Sequence, residues 1–129
     1  MLVKNNRWLV LFFLSTYLPI YLSTYLRSDG FKLDETKPKI ITPNGDHRND
    51  ILIIKCTDET SGGVQITARI LTLNGAFVID MHVNNISDPY NPLITWDGKK
   101  DGKTVPSGIY IYQIEAEDKV FNGTVVVAK

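Results

Sequence analysis

Leu93 to Tyr112 is the stretch that most narrows what this chain can become. Leu93 to Trp96 is apolar or β-branched, which suits a pleated, half-buried surface. Two Asp-Gly pairs follow, Asp97-Gly98 and Asp101-Gly102. Gly accepts positive φ without steric cost, and Asp bonds its own backbone two residues on. Pro106 then fixes φ, Gly108 supplies a hinge, and Tyr110 starts a second strand. The order is strand, polar turn, strand, and it contains no nucleophile, general base or phosphate cradle.

After Lys39 the helix period never occurs, and the remaining segments read as strands and turns. Ile40-Ile41 fits a short first strand. Ile51 to Ile54 is a continuous apolar run, which predicts a strand buried on both faces. Ser61-Gly62-Gly63 predicts a turn. Val64, Ile66, Ala68 and Ile70 alternate with Gln65, Thr67 and Arg69, the period of a half-buried strand. Asn74-Gly75 predicts a type I′ hairpin, which needs positive φ twice. Beyond it Phe77, Ile79, Met81 and Val83 alternate with Val78, Asp80 and His82, which predicts one further strand. Asn84 to Pro92 reads as loop, and Val120 to Ala128 as the closing strand. In the strand Ile109 to Ala116, Tyr110, Tyr112, Ile114 and Ala116 share one face and Gln113 and Glu115 the other. The expectation is an all-β fold: an antiparallel β-sandwich of about seven strands over residues 40–129, with Trp96 packed against the opposite sheet.

The N-terminal part has a different character. Lys4 and Arg7 precede Trp8 to Leu26, a 19-residue run without a charge. That order is the one of an export signal, positive end held in the cytoplasm. The run is longer than a usual signal core, and no clean small-x-small cleavage site lies near Arg27. Its length could just cross a hydrocarbon layer of about 30 Å. Residues 1–27 are therefore expected to be a signal peptide or a membrane-anchor helix, with a buried helix of the fold as a third reading. Under the first two the rest of the chain is extracytoplasmic: periplasmic, on the outer surface or secreted, and touching a membrane only through residues 8–26 if uncleaved. Residues 28–39, polar and closed by Pro38, are expected to be a linker.

Lys plus Arg equals Asp plus Glu at 14 each. Without Lys4, Arg7 and Arg27 the balance is 11 basic against 14 acidic residues, so no basic patch emerges and a nucleic-acid partner is disfavoured. Cys56 is the single cysteine, which excludes an internal disulfide and a Cys-based zinc site; a buried thiol is expected.

Asn44, Asp46, Asn49 and Asp50 place four oxygen-bearing side chains within seven residues around Gly45. Calcium takes six to eight oxygens, and a tight loop can supply them. The spacing misses the EF-hand pattern, and the alternative is a turn held by Asx side chains on backbone amides. His47 and His82 have no partners placed nearby for a zinc site or a triad. Ser61, Ser87 and Ser107 lie in turns without a nucleophile elbow. Glu115, Glu117 and Asp118 read as a solvent face at a strand end. Only Tyr90 and Phe31 stand as aromatics outside the expected core, few for a sugar-binding module.

Trp96-Asp97-Gly98 followed by Val105-Pro106-Ser107-Gly108-Ile109-Tyr110-Ile111-Tyr112 resembles the Ig-like domain of the flagellar hook-capping protein. It also resembles C-terminal domains of many secreted bacterial proteins. Ile41 to Asp50 is similar to the T-P-N-G-D-G-x-N-D opening of gliding-motility-type (type IX secretion) C-terminal domains, with His47 where that pattern carries Gly. Leu71-Thr72-Leu73-Asn74-Gly75 resembles their hairpin, and Asn122 to Lys129 their G-x-V-V-V ending. The resemblance implies an Ig-like sandwich and a non-enzymatic role, without a cofactor unless the Asn44–Asp50 loop takes calcium. It also implies partners within a secretion, surface or assembly apparatus. Because almost no cargo precedes the domain, the chain is expected to be either a piece of a larger gene product or a small surface protein. A hook-cap fragment is the alternative, although flagellar export uses no membrane signal. A small secreted carbohydrate- or protein-binding module is a further one.

Overall fold

Alternating side-chain burial along successive strands builds the domain. The computed structural model describes residues 30–60 and 64–129, and Phe31–Lys129 forms one compact unit. Among the described residues every regular element is a strand. In chain order they are β1 (Phe31–Lys37), β2 (Ile40–Ile41), β3 (Leu52–Asp58), β4 (Thr67–Thr72), β5 (Phe77–Asp80), β6 (His82–Asn84), β7 (Leu93–Trp96), β8 (Lys99–Lys100), β9 (Lys103–Thr104), β10 (Gly108–Ala116) and β11 (Lys119–Val127). The expected signal or anchor helix and the Ser61–Gly63 turn lie outside the described residues.

Two open sheets carry the fold, one ordered β1-β3-β7-β6 and one ordered β2-β11-β10-β4-β5; β8 and β9 form a separate small hairpin. All pairs are antiparallel except β2 with β11, which runs parallel. The two sheets face each other across one apolar core. Leu52, Ile54, Cys56, Ile94 and Trp96 enter it from the first sheet, and Ile70, Tyr110, Ile114, Val125 and Val127 from the second. Two aromatic pairs bridge the layers: Trp96 stands edge-on to Tyr110 at 5.6 Å, and Phe31 tilts against Phe121 at 5.8 Å. Such geometries match the quadrupole preference of aromatic rings.

Several expectations need correction. Among the described residues there are eleven strands rather than about seven, because the polar turn carries the β8–β9 hairpin and short pieces pair separately. Part of the expected linker is strand: Phe31–Lys37 pairs with β3 at the sheet edge, interrupted by an irregularity between Leu33 and Glu35. Phe31 is therefore a core residue rather than an exposed aromatic. Ile51 to Ile54 is not buried on both faces; Leu52 and Ile54 point inward while Ile51 and Ile53 stay exposed. Residues 64–66 precede β4 rather than belonging to it. The single strand expected from Phe77 to Val83 is two, β5 in one sheet and β6 in the other. An irregularity opposite Ile70–Leu71 turns Val78 inward and Phe77 outward, and the chain changes sheets at Met81, whose N–H donates to the Ala68 carbonyl.

The turn chemistry is also inverted. At Asn74-Gly75 only Gly75 has positive φ, and the loop closes through Gly75 N–H and Ala76 N–H donating to Thr72. The two-residue turn with positive φ twice is instead Glu117-Asp118, joining β10 to β11.

Cys56 is buried as expected. Burial, with the nearby Asp34 charge, pushes its thiol up to about 12, so it behaves as a small apolar core residue.

Trp96, only 4% exposed, fills the space between the sheets at Tyr110. Trp96→Ala should lower unfolding free energy by about 3–5 kcal/mol, read by chemical denaturation. A loss below about 1 kcal/mol would show that the ring does not join the layers.

Candidate functional site

The motif-bearing loops meet at one end of the domain. Asp97 Oδ1 accepts from Lys99 N–H at 3.0 Å, the Asx turn that follows β7. Trp96 Nε1–H donates to the Lys99 carbonyl at 3.1 Å, so the ring that fills the core also holds the turn leaving it. Gly98 has φ +73, and its carbonyl accepts from Val105 N–H. A Cβ on Gly98 would lie 2.7 Å from Pro43 Cγ and 3.1 Å from Ile41 Cδ1. Thus the Trp-Asp-Gly motif and the Thr-Pro-Asn-Gly motif touch, and the glycine is needed for both its backbone and its closeness. Further on, the Tyr110 hydroxyl donates to the Pro106 carbonyl four residues upstream at 2.6 Å, which fixes how β10 enters the sheet.

The Asn44–Asp50 loop is organised by Asp50. Its Oδ1 accepts from Asn44 N–H and Gly45 N–H, and its Oδ2 from His47 N–H at 2.8 Å. Asn44 Oδ1 accepts from Asp46 N–H, and Asp46 Oδ1 from Arg48 N–H. Thr42 closes the base, its N–H donating to the Asn49 carbonyl. His47 (φ 63) and Asn49 (φ 53) both take the left-handed conformation, so the pattern's Gly position is filled by a histidine in the conformation a glycine would favour. Asn44, Asp46 and Asp50 use side-chain oxygens on backbone amides, and no such bond involves the Asn49 side chain. Among the described residues no group of three or more His, Cys, Asp or Glu side chains is placed to hold a metal ion. The loop's geometry is that of nested Asx turns, in which side-chain oxygens bond backbone amides. Desolvation pushes the Asp50 carboxyl up, but the three amide donors and the His47 charge outweigh it and leave it below its ordinary value of 3.8.

The remaining candidates lie apart. His47 sits in this loop and His82 on β6. Glu117, expected on a solvent face, accepts from Phe31 N–H at 3.1 Å, while Lys119 Nζ donates to the Phe31 carbonyl at 3.4 Å. The β10–β11 turn thereby clamps the start of β1. Its signal lay in the unfavourable Glu-Asp turn, which needs a reason to exist. Asp58, buried at the end of β3, was missed as well; its Oδ1 accepts from Thr60 N–H and Oγ1, an Asx arrangement that Asp-Glu-Thr could have announced.

Taken together, the Trp-Asp-Gly and Thr-Pro-Asn-Gly motifs build two touching loops at one end of the β domain. A family model described as CHU_C Type IX secretion signal domain matches residues 36–127. The chain belongs to that family, and is therefore an extracytoplasmic, secreted or outer-surface protein that engages a secretion apparatus. The match carries the sorting half of the resemblance and lends nothing to the hook-cap half. No curated protein and no solved structure matched the chain in the other two comparisons.

The loop chemistry is testable in solution. Because the folded-state pKa of Asp50 lies below 3.8, its contribution to stability is complete above that value and fades as pH falls through the lower one. Asp50→Asn should lower the thermal midpoint at pH 7 and reduce the midpoint's acid sensitivity. Calcium against chelator should leave the native midpoint unmoved. A calcium-dependent rise that disappears in the double variant Asp46→Asn, Asp50→Asn would contradict this and make the loop a metal site.

Proposed function

We propose that this chain is a non-enzymatic Ig-like module whose folded surface is the address for type IX secretion, and which remains attached at the cell surface or assembles with surface proteins after export. The observation that carries the reading is the family match over residues 36–127, which takes in every strand from β2 to β11.

The Ig-like assignment is supported by topology. The orders β1-β3-β7-β6 and β11-β10-β4-β5 follow the ABED and GFCC′ sheets of an Ig sandwich, with β2 added beside the last strand. Tyr110, near the start of the F-equivalent strand and bonded to the backbone four residues earlier, supports it again as a tyrosine corner. The tryptophan differs: here it lies on the E-equivalent strand, β7, rather than on strand C. The non-enzymatic reading rests on the side chains themselves. The loop carboxylates bond backbone amides, and the one cysteine is buried with a raised pKa.

The experiment appends residues 30–129 to a periplasm-targeted reporter in a bacterium with a working type IX system. The reporter should reach the outer surface or medium, and should stay periplasmic in a strain lacking that system. Equal distribution in the two strains would contradict the reading.

A further inference from the structure

The outer face of the five-stranded sheet carries an apolar band that the core does not use. Strand register lays it out in rows. Ile40 lies beside Val126, and Val126 beside Ile109. In the adjacent row the exposed, uncharged Thr124 lies beside Ile111, Ile111 beside Leu71, and Leu71 beside Phe77, so the apolar band runs diagonally from one row to the other. Ile40, Ile109 and Phe77 are 52%, 49% and 58% exposed, and Leu73, at the hairpin tip next to them, is 61% exposed. Val126, Ile111 and Leu71 are half-buried. The band thus crosses all five strands, about 19 Å at ordinary strand spacing, without a charged side chain in either row. The next row is polar: Asn122, Gln113, Arg69 and Asp80. Val120 is a lone apolar residue farther on, opposite Glu115.

The other sheet shows what an ordinary solvent face looks like here. Its exposed Ile53 pairs with Lys37 and Thr95, and Leu93 with Lys55 and Asn84, so each apolar residue stands among polar ones. A continuous exposed apolar surface rimmed by polar residues marks an interaction site.

We propose that this band is the surface by which the secretion apparatus reads the folded domain, its partner being an uncharged, apolar protein surface of that apparatus. The inference rests on the secretion-signal reading above. A signal read from a folded domain must be read from its exterior. Among the described residues the band is an uncharged apolar stretch reaching across the outer face of the sheet, and its lack of charge asks for a partner patch equally lacking charge.

The test uses the full chain in a type IX-competent bacterium. Ile109→Lys with Phe77→Lys places two charges in the band; Asn122→Lys with Val120→Lys places two on the polar end of the same face. The band variant should fall at least tenfold in export and accumulate in the periplasm, while the control pair is exported like the native chain. Both purified variants should keep cooperative unfolding. If the lysine pair unfolds the domain, Ile109→Thr with Phe77→Thr should lower export in the same direction with the fold intact. Native-level export of a folded band variant would overturn the proposal. A native chain that sediments as a dimer, split by the band substitutions, would overturn it too and give the band to a second copy. Failure of the native chain itself to be exported would instead remove the secretion-signal reading, and the proposal with it.

Discussion

Trp96 and the two residues after it decide how the two layers of this domain are joined. The indole fills the core against Tyr110 and spends its one polar atom on the Lys99 carbonyl, so its burial leaves no unpaired donor. Gly98 then lets the chain turn away under Pro43 at a distance that no side chain allows. The Asn44–Asp50 loop, standing on Thr42 and Pro43, is thereby locked against the loop that leads to β10. On the far side Tyr110 both meets Trp96 and anchors Pro106. Residues that are distant in sequence are bound through one cluster of ring contacts and backbone hydrogen bonds.

Much of this was legible before the structure, and the misses share a physical pattern. Tyr110 faces inward as its period-two alternation requires. The burial of Trp96 and Cys56 followed from residue type, a large ring ending an apolar strand and an unpaired thiol. β1 was missed because Lys32, Asp34, Glu35 and Lys37 make Phe31–Lys37 look like a linker; such charges are also how an edge strand resists pairing with other chains. The break at Met81 was invisible because an irregularity that turns Val78 inward and a change of sheet leave a nearly regular alternation behind. The two turns were exchanged because tertiary contacts outweigh local preference. Glu117 gains the Phe31 amide by accepting a left-handed conformation, while Asn74-Gly75 closes through Thr72 instead. The contact of Gly98 with Pro43 could not be read from either motif alone.

The same reasoning separates the parts of the molecule that hold the fold from those free to act. The loop motifs that make the family recognisable are occupied in holding themselves and each other. The sheet face that contributes nothing to the core is where apolar side chains remain in water.

The joining of the two motif loops is tested most directly by a stability cycle on Gly98→Ala and Pro43→Ala. Gly98→Ala combines a left-handed alanine, about 1–2 kcal/mol, with a Cβ placed 2.7 Å from Pro43 Cγ. The account predicts a total loss well above the conformational cost alone, and a coupling of at least about 1 kcal/mol as Pro43→Ala removes the clashing atom. A loss of only about 1 kcal/mol, unchanged by Pro43→Ala, would contradict it.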